Sequence, residues 1–384
     1  MKKKFDQETN RFHTHSLKWD VKEHELPMWV ADMDFETAPT VKKAIEERAA
    51  HGIYGYSIIP DAFFESIQLW WERRHKVKWN QEWMIYSSGV VAAISSIVRK
   101  ITTVGENVLI QSPVYNIFYN SIVNNGRNVV SNDLVYENGM YHIDFDDLEN
   151  KLSNPQTNLM ILCNPHNPIG KRWSYEELAK IGELCHRYHV KVISDEIHCD
   201  IVDPQKSYIP FASVNETCRD ISITCLSCSK VFNLAGLQSA CIVVADSVLR
   251  HQVWRGLNTD EVAEPNCFSM QANIVAFQTG ETWVNELNQY LYENKQLVSQ
   301  FILEQLPNLY LVPSEATYLL WIDISHYSND SEDFCHRLRE ETGLYLCPGS
   351  EYGKNGAHFI RMNIATTRKR VEDALTRLKC FLKE

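Results

Sequence analysis

The sequence predicts an α/β fold with a mainly parallel large-domain sheet, helices on both of its faces, and a smaller α+β domain. Two observations lead to this prediction. Through the middle of the chain, short apolar runs typical of buried strands alternate with segments of helical spacing, as in parallel βαβ units. Towards the C-terminus, strand-like alternation takes over on either side of one helical segment, which indicates a separate, half-solvated sheet.

The elements follow one another from residue 83 onwards. Residues 83–86 form a short strand candidate, and apolar positions at helical spacing follow from Val90 to Ile101. Further candidates for buried strands are residues 107–111, 158–164, 190–197, 221–226 and 241–245. Ser174 with Glu177 three residues later is a capping box, which predicts the start of a helix.

The C-terminal part has a different pattern. Residues 280–305 predict one long polar helix, and residues 317–325 and 358–365 alternate like strands around a helix at 331–342. We therefore expect a large domain over residues 45–280. The smaller domain would combine residues 281–384 with residues 1–44, which lack the strand–helix rhythm.

Charge, hydropathy and cysteine usage exclude several classes of function. There are 38 Lys and Arg against 49 Asp and Glu, a net charge of −11, which argues against nucleic acid or an anionic membrane surface as partner. No apolar run is long enough to span a membrane, and the basic N-terminus lacks the apolar stretch of a signal peptide. The 11 cysteines are scattered and odd in number, so reduced thiols in the cytoplasm are expected.

Ligands of open α/β sheets bind at the carboxyl ends of the strands. This rule selects the residue ranges 87–89, 113–115, 164–170, 195–198 and 227–230. In the first range, a glycine opening a helix after two serines suits a phosphate, although Ser87 or Ser88 could simply cap the helix. The Asn-Pro steps of residues 164–168 predict a rigid loop, or a plain turn.

Three charged side chains have both a chemical and a structural interpretation. Asp195 ends an apolar strand and must be paired or face a polar pocket, unless it caps a helix. Lys230 follows another strand end, where partial desolvation would make it a nucleophile or base. Alternatively, it is an ordinary surface residue, as most lysines are. Arg361 lies within a strand pattern, and a buried arginine needs a carboxylate or phosphate partner. This partner could be a ligand or, alternatively, an acidic side chain in an internal salt bridge.

Cys225 and Cys228 form a C-x-x-C pair next to Lys230. A redox role would require the context of a smaller thioredoxin-like fold. A zinc site would require a second pair at suitable spacing, and the sequence has none. We interpret both cysteines as packing residues and keep a redox protein as a distant alternative.

The order of these residues is more specific than any one of them. A glycine at a helix start, an aromatic residue, an asparagine loop, a strand-end aspartate, a Ser-x-x-Lys and a late arginine follow the order of a pyridoxal 5′-phosphate (PLP) site. There the lysine forms the imine with the cofactor, the aspartate keeps the pyridine nitrogen protonated, and the arginine binds the substrate carboxylate.

The chain resembles the aspartate-aminotransferase superfamily of fold-type I PLP enzymes over nearly its whole length. More narrowly, it resembles the MalY/PatB-type cystathionine β-lyases, which are C–S lyases. This resemblance rests on KWD at 18–20, LPMWVADMDFETAP at 26–39, HGIYGY at 51–56, NPHNPIGKRW at 164–173, SDEIHCD at 194–200 and SKVFNLAGLQ at 229–238.

The resemblance implies a role for each matched residue. Lys230 would be the Schiff-base lysine, Asp195 would pair with the pyridine nitrogen, and Asn167 would bind the ring oxygen. Arg361 would bind the substrate carboxylate and Tyr115 would stack on the ring. The remaining cofactor contacts would come from Ser88, Gly89, Val90, His198, Ser227 or Ser229, and from Tyr56 of a neighbouring subunit in a homodimer with shared active sites.

Two positions depart from the aminotransferase pattern. His198 stands where aminotransferases commonly have Tyr, and Gln238 stands where aspartate aminotransferases have a phosphate-binding Arg. Neutral donors, Lys230 and Tyr56 would then hold the phosphate.

The function implied is α,β-elimination on cystathionine or a related S-substituted L-cysteine, giving a thiol, pyruvate and ammonia. An aminotransferase remains the alternative because it shares the earlier steps. A PLP-binding regulatory protein is a more distant alternative.

Overall fold

The computed structural model describes residues 4–383 and confirms the predicted α/β class. Its strands are β1 (Leu26–Pro27), β2 (Met84–Ser87), β3 (Asn107–Ile110), β4 (Asn128–Ser131), β5 (Val135–Glu137), β6 (Met140–His142), β7 (Thr157–Cys163), β8 (Lys191–Asp195), β9 (Ser222–Leu226), β10 (Ala240–Val243), β11 (Tyr310–Leu311), β12 (Leu319–Asp323), β13 (Leu344–Tyr345), β14 (Cys347–Pro348) and β15 (Phe359–Asn363).

The helices account for most of the remaining regular structure. They are α1 (Pro39–Ala50), α2 (Asp61–His75), α3 (Val90–Ile101), α4 (Ile117–Val123), α5 (Phe145–Leu152), α6 (Tyr175–Arg187), α7 (Glu216–Ile221), α8 (Ser247–Thr259), α9 (Ser269–Thr279), α10 (Glu281–Gln305), α11 (Ser331–Thr342) and α12 (Arg368–Leu382). Helix α6 begins with the predicted capping box: the Ser174 hydroxyl accepts from Glu177 N, and the Glu177 carboxylate accepts from Ser174 N.

The large sheet has seven strands in the order β2-β10-β9-β8-β7-β3-β4. The pairs from β9 to β4 are parallel, whereas β10 runs antiparallel to both of its neighbours. Alternate residues of the central strands enter different cores: Met160 and Val192 pack in one, Ile161 and Ile193 in another. Helices α6 and α3 contribute to these two cores, so the sheet is buried on both faces, as parallel sheets are.

The second sheet is antiparallel, with the order β11-β12-β15-β14. The prediction that it is half-solvated is wrong, because β12 and β15 are buried on both faces. Leu320 and Met362 pack into a core that includes residues of α11 and α12. The alternate positions Trp321 and Phe359 stack on each other and join a core of the large sheet. The alternating pattern therefore separates two cores rather than core from solvent.

The N-terminal residues attach to the C-terminal part through β1, which pairs in parallel with β13. The division into a large domain of residues 45–280 and a small domain of the remaining residues stays a prediction. Residues 1–3 and 384 of the small domain lie outside the described residues. Helix α1 continues across the predicted boundary at residue 44. Among the helices of residues 4–383, none has the length and apolar character needed to cross a membrane.

Candidate active site

A cavity of about 340 Å³ opens at the carboxyl edge of the large sheet. Its wall is built from residues that follow β2, β3, β7, β8 and β9, the strand ends selected by the sequence. Strand β10 runs in the opposite sense, so its beginning lies at the same edge and adds Gln238 and Ser239. The volume lies within the range of small-molecule sites, about 300–1,000 Å³.

Lys230 follows β9 and reaches into this cavity. Its Nζ donates to the Ala31 carbonyl oxygen at 2.8 Å. Burial and the nearby Arg361 guanidinium lower the pKa of Lys230 to about 8, against the opposing effect of Asp32 and Asp195. A lysine in this state is partly neutral near pH 8, as required of an amine nucleophile or base.

Asp195 ends β8 and is buried beside the cavity. Burial raises the pKa of its carboxyl to about 6, while a hydrogen bond from Ile197 N and the positive charge of Lys230 oppose the rise. Within residues 4–383 the carboxylate has no ion-pair partner within 4 Å, and no helix begins at it. Asp195 therefore faces the polar pocket, where it can hold a protonated ring nitrogen.

Arg361 lies on β15 and is buried with only 4% of its surface exposed. Its guanidinium donates to Trp29 O at 2.7 Å and to Asn167 Oδ1 at 3.3 Å, and it packs over the Tyr352 ring. Its Nε is buried and has no hydrogen-bond partner in the part of the chain that the structure describes. The salt-bridge interpretation has no support in the described residues, where no carboxylate lies within 4 Å of Arg361, so the side chain is free to bind a carboxylate ligand.

The first turn of α3 forms another part of the wall, with Ser88, Gly89 and Val90. No side chain caps this helix, so the simple N-cap interpretation does not hold. Gly89 has φ +150° and ψ 156°, a backbone conformation essentially restricted to glycine. A Cβ built on it would meet no atom within 4 Å, so open space lies above the helix N-terminus, as an anion site requires.

Two further predicted residues line the cavity, Tyr115 and His198. His198 is buried, and its Nδ1 has no hydrogen-bond partner among the described residues. Burial together with the charges of Lys230 and Arg361 lowers its pKa to about 3. The imidazole is therefore neutral at physiological pH and can offer either a donor or an acceptor to a ligand.

The structure brings most of the predicted residues together on the cavity wall. Arg361 lies behind this wall, in contact with Asn167, whereas Ser227 and Tyr56 lie apart. Ser227 is absent from the cavity wall, and its hydroxyl donates to Ser239 O and accepts from Ser229 N. Ser229 does line the cavity. Tyr56 is fully exposed on the segment between α1 and α2. The roles of both residues stay predictions.

Sequence reasoning missed Ala31 and Ser239 on the cavity wall. The Ser239 hydroxyl is buried and has no hydrogen-bond partner within residues 4–383, so it can bind a ligand. Ser239 lies two residues before a predicted strand. In a parallel sheet, a residue before a strand lies at the amino edge, opposite the ligand site. Only the reversal of β10 brings it to the site.

Cys225 and Cys228 do not form a pair. Cys225 packs with the apolar residues between the sheet and α3, whereas Cys228 belongs to another core and its thiol donates to Asn273 Oδ1 at 3.0 Å. Both are free thiols, and burial raises the pKa of each. The structure confirms that they are packing residues.

Comparison with known proteins gives consistent relationships over the whole chain. Residues 25–378 match the family model "Aminotransferase class I and II". The chain is 39% identical to cystathionine beta-lyase PatB of Bacillus subtilis, covering 98% of this chain and 99% of the relative, and 31% identical to protein MalY of Escherichia coli, covering 97% of each. The crystal structure of the PLP-bound C–S lyase from Staphylococcus hominis superposes with a TM-score of 0.93 at 33% identity, covering 99% and 98% of the two chains.

Proposed function

This chain belongs to the aminotransferase class I and II family, and we propose that it is a PLP-dependent C–S lyase. It cleaves cystathionine or related S-substituted L-cysteines to a thiol, pyruvate and ammonia. Its C–S lyase relatives confirm the fold-type I architecture. The observation that carries the proposal is a cavity lined by the partly buried amine of Lys230, whose pKa is lowered. Beside the cavity lies the buried Arg361 guanidinium, which has no acidic partner in the described residues and contacts the wall residue Asn167.

The residues present fit PLP. Three buried polar atoms at or beside the cavity have no hydrogen-bond partner among residues 4–383: Arg361 Nε, His198 Nδ1 and Ser239 Oγ. Open space lies over Gly89 at the N-terminus of α3, where backbone N–H groups suit a phosphate. A group with a phosphate, a polar ring edge and an amino-acid substrate attached would satisfy these atoms, whereas each costs about 1–3 kcal/mol if left unpaired and dry.

Each proposed cofactor contact is assigned to residues on or near the cavity wall. Gly89, Val90, Ser88 and Ser229 would hold the phosphate, with Ser239 as an additional hydroxyl. Asp195 would bind the protonated ring nitrogen, and Asn167 and His198 would contact the ring oxygen. Tyr115 would stack on the ring. When bound, PLP supplies an electron sink that stabilises negative charge at the substrate Cα.

The protein's own residues orient the substrate and move its protons. Arg361 binds the α-carboxylate, which fixes the Cα–H bond relative to Lys230. Lys230, partly neutral near pH 8, accepts the Cα proton and carries it within the cavity as an ammonium group. A thiolate is a good leaving group, so release from Cβ needs little further assistance from the protein beyond a proton for sulfur.

We also propose that the enzyme is a cytoplasmic homodimer in which Tyr56 reaches the phosphate of the partner's site. The segment between α1 and α2 supports this, because Ile53, Tyr56 and Ile58 are all strongly exposed and apolar. A second copy covering them would remove this apolar surface from water. All 11 cysteines are free thiols, which agrees with a reducing compartment.

The decisive experiment offers L-cystathionine to the holoenzyme without any keto acid and measures pyruvate and free thiol. We expect equal amounts of both, and none from a Lys230→Ala variant. Amino-group transfer to an added keto acid without pyruvate release would refute the lyase proposal in favour of an aminotransferase. A Lys230→Ala protein that kept its full biological effect would instead support a regulatory role.

A further inference from the structure

Residues 29–35 run past Lys230 without regular secondary structure, yet their carbonyl groups are hydrogen-bonded. Most of the donors are side chains from distant parts of the chain. Arg361 donates to Trp29 O, and Asn363 donates to the carbonyls of Val30 and Asp32. Because buried carbonyls need partners, these side chains determine the path of this segment, here called the carbonyl segment.

The Ala31 carbonyl is the one that faces the reacting amine. It accepts from Lys230 Nζ at 2.8 Å and from the Tyr318 hydroxyl at 3.0 Å. A carbonyl oxygen has two lone pairs, so these two donors satisfy it. The carbonyl cannot turn away from Lys230 without also breaking the bond from Tyr318.

Asn233 joins the carbonyl segment to the loop that carries Lys230. It lies three residues after the lysine, with φ +56°. Its Oδ1 accepts from Met33 N at 3.0 Å, and its Nδ2 donates to Met33 O and Phe35 O, each at 3.0 Å. The amide therefore holds the lysine loop and the segment at a constant separation.

We propose that Asn233 and Tyr318 are positioning residues that hold the Ala31 carbonyl over Lys230, so that this carbonyl orients the amino group during transfer of the substrate Cα proton. The inference rests on the proposed function because it assigns that proton transfer to Lys230. Tyr318 bonds the Ala31 carbonyl directly, whereas Asn233 acts on it through Met33 and Phe35 of the same segment.

The proton balance follows from the hydrogen bonds of the amine. Neutral Lys230 donates one N–H to Ala31 O, which limits rotation about its last bond and leaves its lone pair for the Cα proton. The Cα–H bond breaks, its electron pair stays on the substrate, and a new N–H bond forms on Lys230. The resulting ammonium keeps its bond to Ala31 O, so the proton remains in a defined place until it is returned.

The test measures exchange of the Cα proton of L-alanine in D2O by NMR, per bound cofactor. Alanine has no leaving group, so the exchange does not depend on elimination. The variants are Tyr318→Phe, which removes one hydroxyl and keeps the ring, and Asn233→Ala. We expect the maximal exchange rate to fall about 3- to 10-fold in the first, the effect of one hydrogen bond, and by about 10-fold or more in the second. The alanine KM should stay unchanged because neither substitution removes a hydrogen bond of Arg361.

Matched controls are Asn125→Ala and Tyr188→Phe, which lie just before β4 and β8, at the opposite edge of the sheet. Asn125 Nδ2 bonds the carbonyls of Ser95 and Ser121, and the Tyr188 hydroxyl bonds Glu149. Their loss should lower thermal stability and leave the exchange rate at the wild-type value.

Several results would overturn the proposal: variants that exchange alanine as fast as wild type, a rise in KM alone, equal losses in variants and controls, or a wild type that exchanges no alanine. Pyruvate release from cystathionine is measured in parallel. Normal exchange without pyruvate would refute the lyase function and leave the positioning proposal supported, provided the variants slow exchange. Pyruvate release together with exchange at the wild-type rate in both variants would support the lyase function and refute the positioning proposal.

Discussion

Replacement of Arg361 tests the assignment of the substrate carboxylate site most directly. Two variants separate charge from geometry: Arg361→Lys keeps the positive charge but loses the planar fork, and Arg361→Gln removes the charge. The side chain is buried, its Nε is unpartnered, and Asn167 and Trp29 occupy only part of its donor set. Both variants should therefore affect substrate binding more than the fold.

The expected losses follow from the hydrogen bonds removed. In Arg361→Lys, one of two charge-assisted bonds to the carboxylate is lost, costing about 1.5–3 kcal/mol, or roughly 10- to 150-fold in kcat/KM. In Arg361→Gln, a buried charge pair loses one partner, at about 2–5 kcal/mol, or roughly 30- to 5,000-fold.

The pH dependence gives a second, independent readout. Arg361 is one of the causes that lower the pKa of Lys230 to about 8. Removing this charge raises that pKa towards its ordinary value, so at a given pH less of the amine is neutral. The acidic limb of the kcat profile should therefore move to higher pH in Arg361→Gln and stay in place in Arg361→Lys.

The assay is steady-state pyruvate release from L-cystathionine between about pH 6 and about pH 10. This range brackets the pKa of Lys230, which is about 8. The bound cofactor is measured by its visible absorbance in each variant. If both variants kept the wild-type kcat/KM with full cofactor, Arg361 would not bind the substrate carboxylate. An acidic limb that moved equally in both would show that the charge does not act on Lys230.

Three other substitutions test single features of the structure. Lys18→Met removes one of the cationic partners of the buried Asp34 carboxylate, at 3.2 Å, while Arg11 and Arg370 stay within 4 Å of it. It should therefore lower the free energy of unfolding by about 1.5–3 kcal/mol, the contribution of one hydrogen bond to a charged group; an unchanged urea midpoint would contradict this. Ser174→Ala removes the capping box of α6 and should cost about 1 kcal/mol in the same titration. Gly89→Ala forces a side chain into φ +150°, so strain of about 1–3 kcal/mol should lower the free energy of unfolding, measured in the same titration; an unchanged midpoint would show that Ala adopts this conformation without strain.

Much of the fold followed from local sequence patterns. The capping box at Ser174, the long helix α10 and the apolar strands of the large sheet appear where the periodicity predicts them. The second sheet did not follow its pattern. Alternation along β12 and β15 reports only that successive side chains face opposite sides, and whether the second side meets water depends on what packs against it.

The amino-acid sequence by itself determined which chemical groups stand at the carboxyl ends of the strands, including Asn167, Asp195 and Lys230, because the position at which a strand ends along the chain is a local property and ligands of such sheets bind at these ends. Only the tertiary structure decided how these groups are held. The Ala31 carbonyl meets Lys230 across 199 positions and Tyr318 across 287 positions of the chain, and Ser239 reaches the site because β10 runs antiparallel. Such contacts depend on packing between distant elements, for which a single sequence carries no local signal.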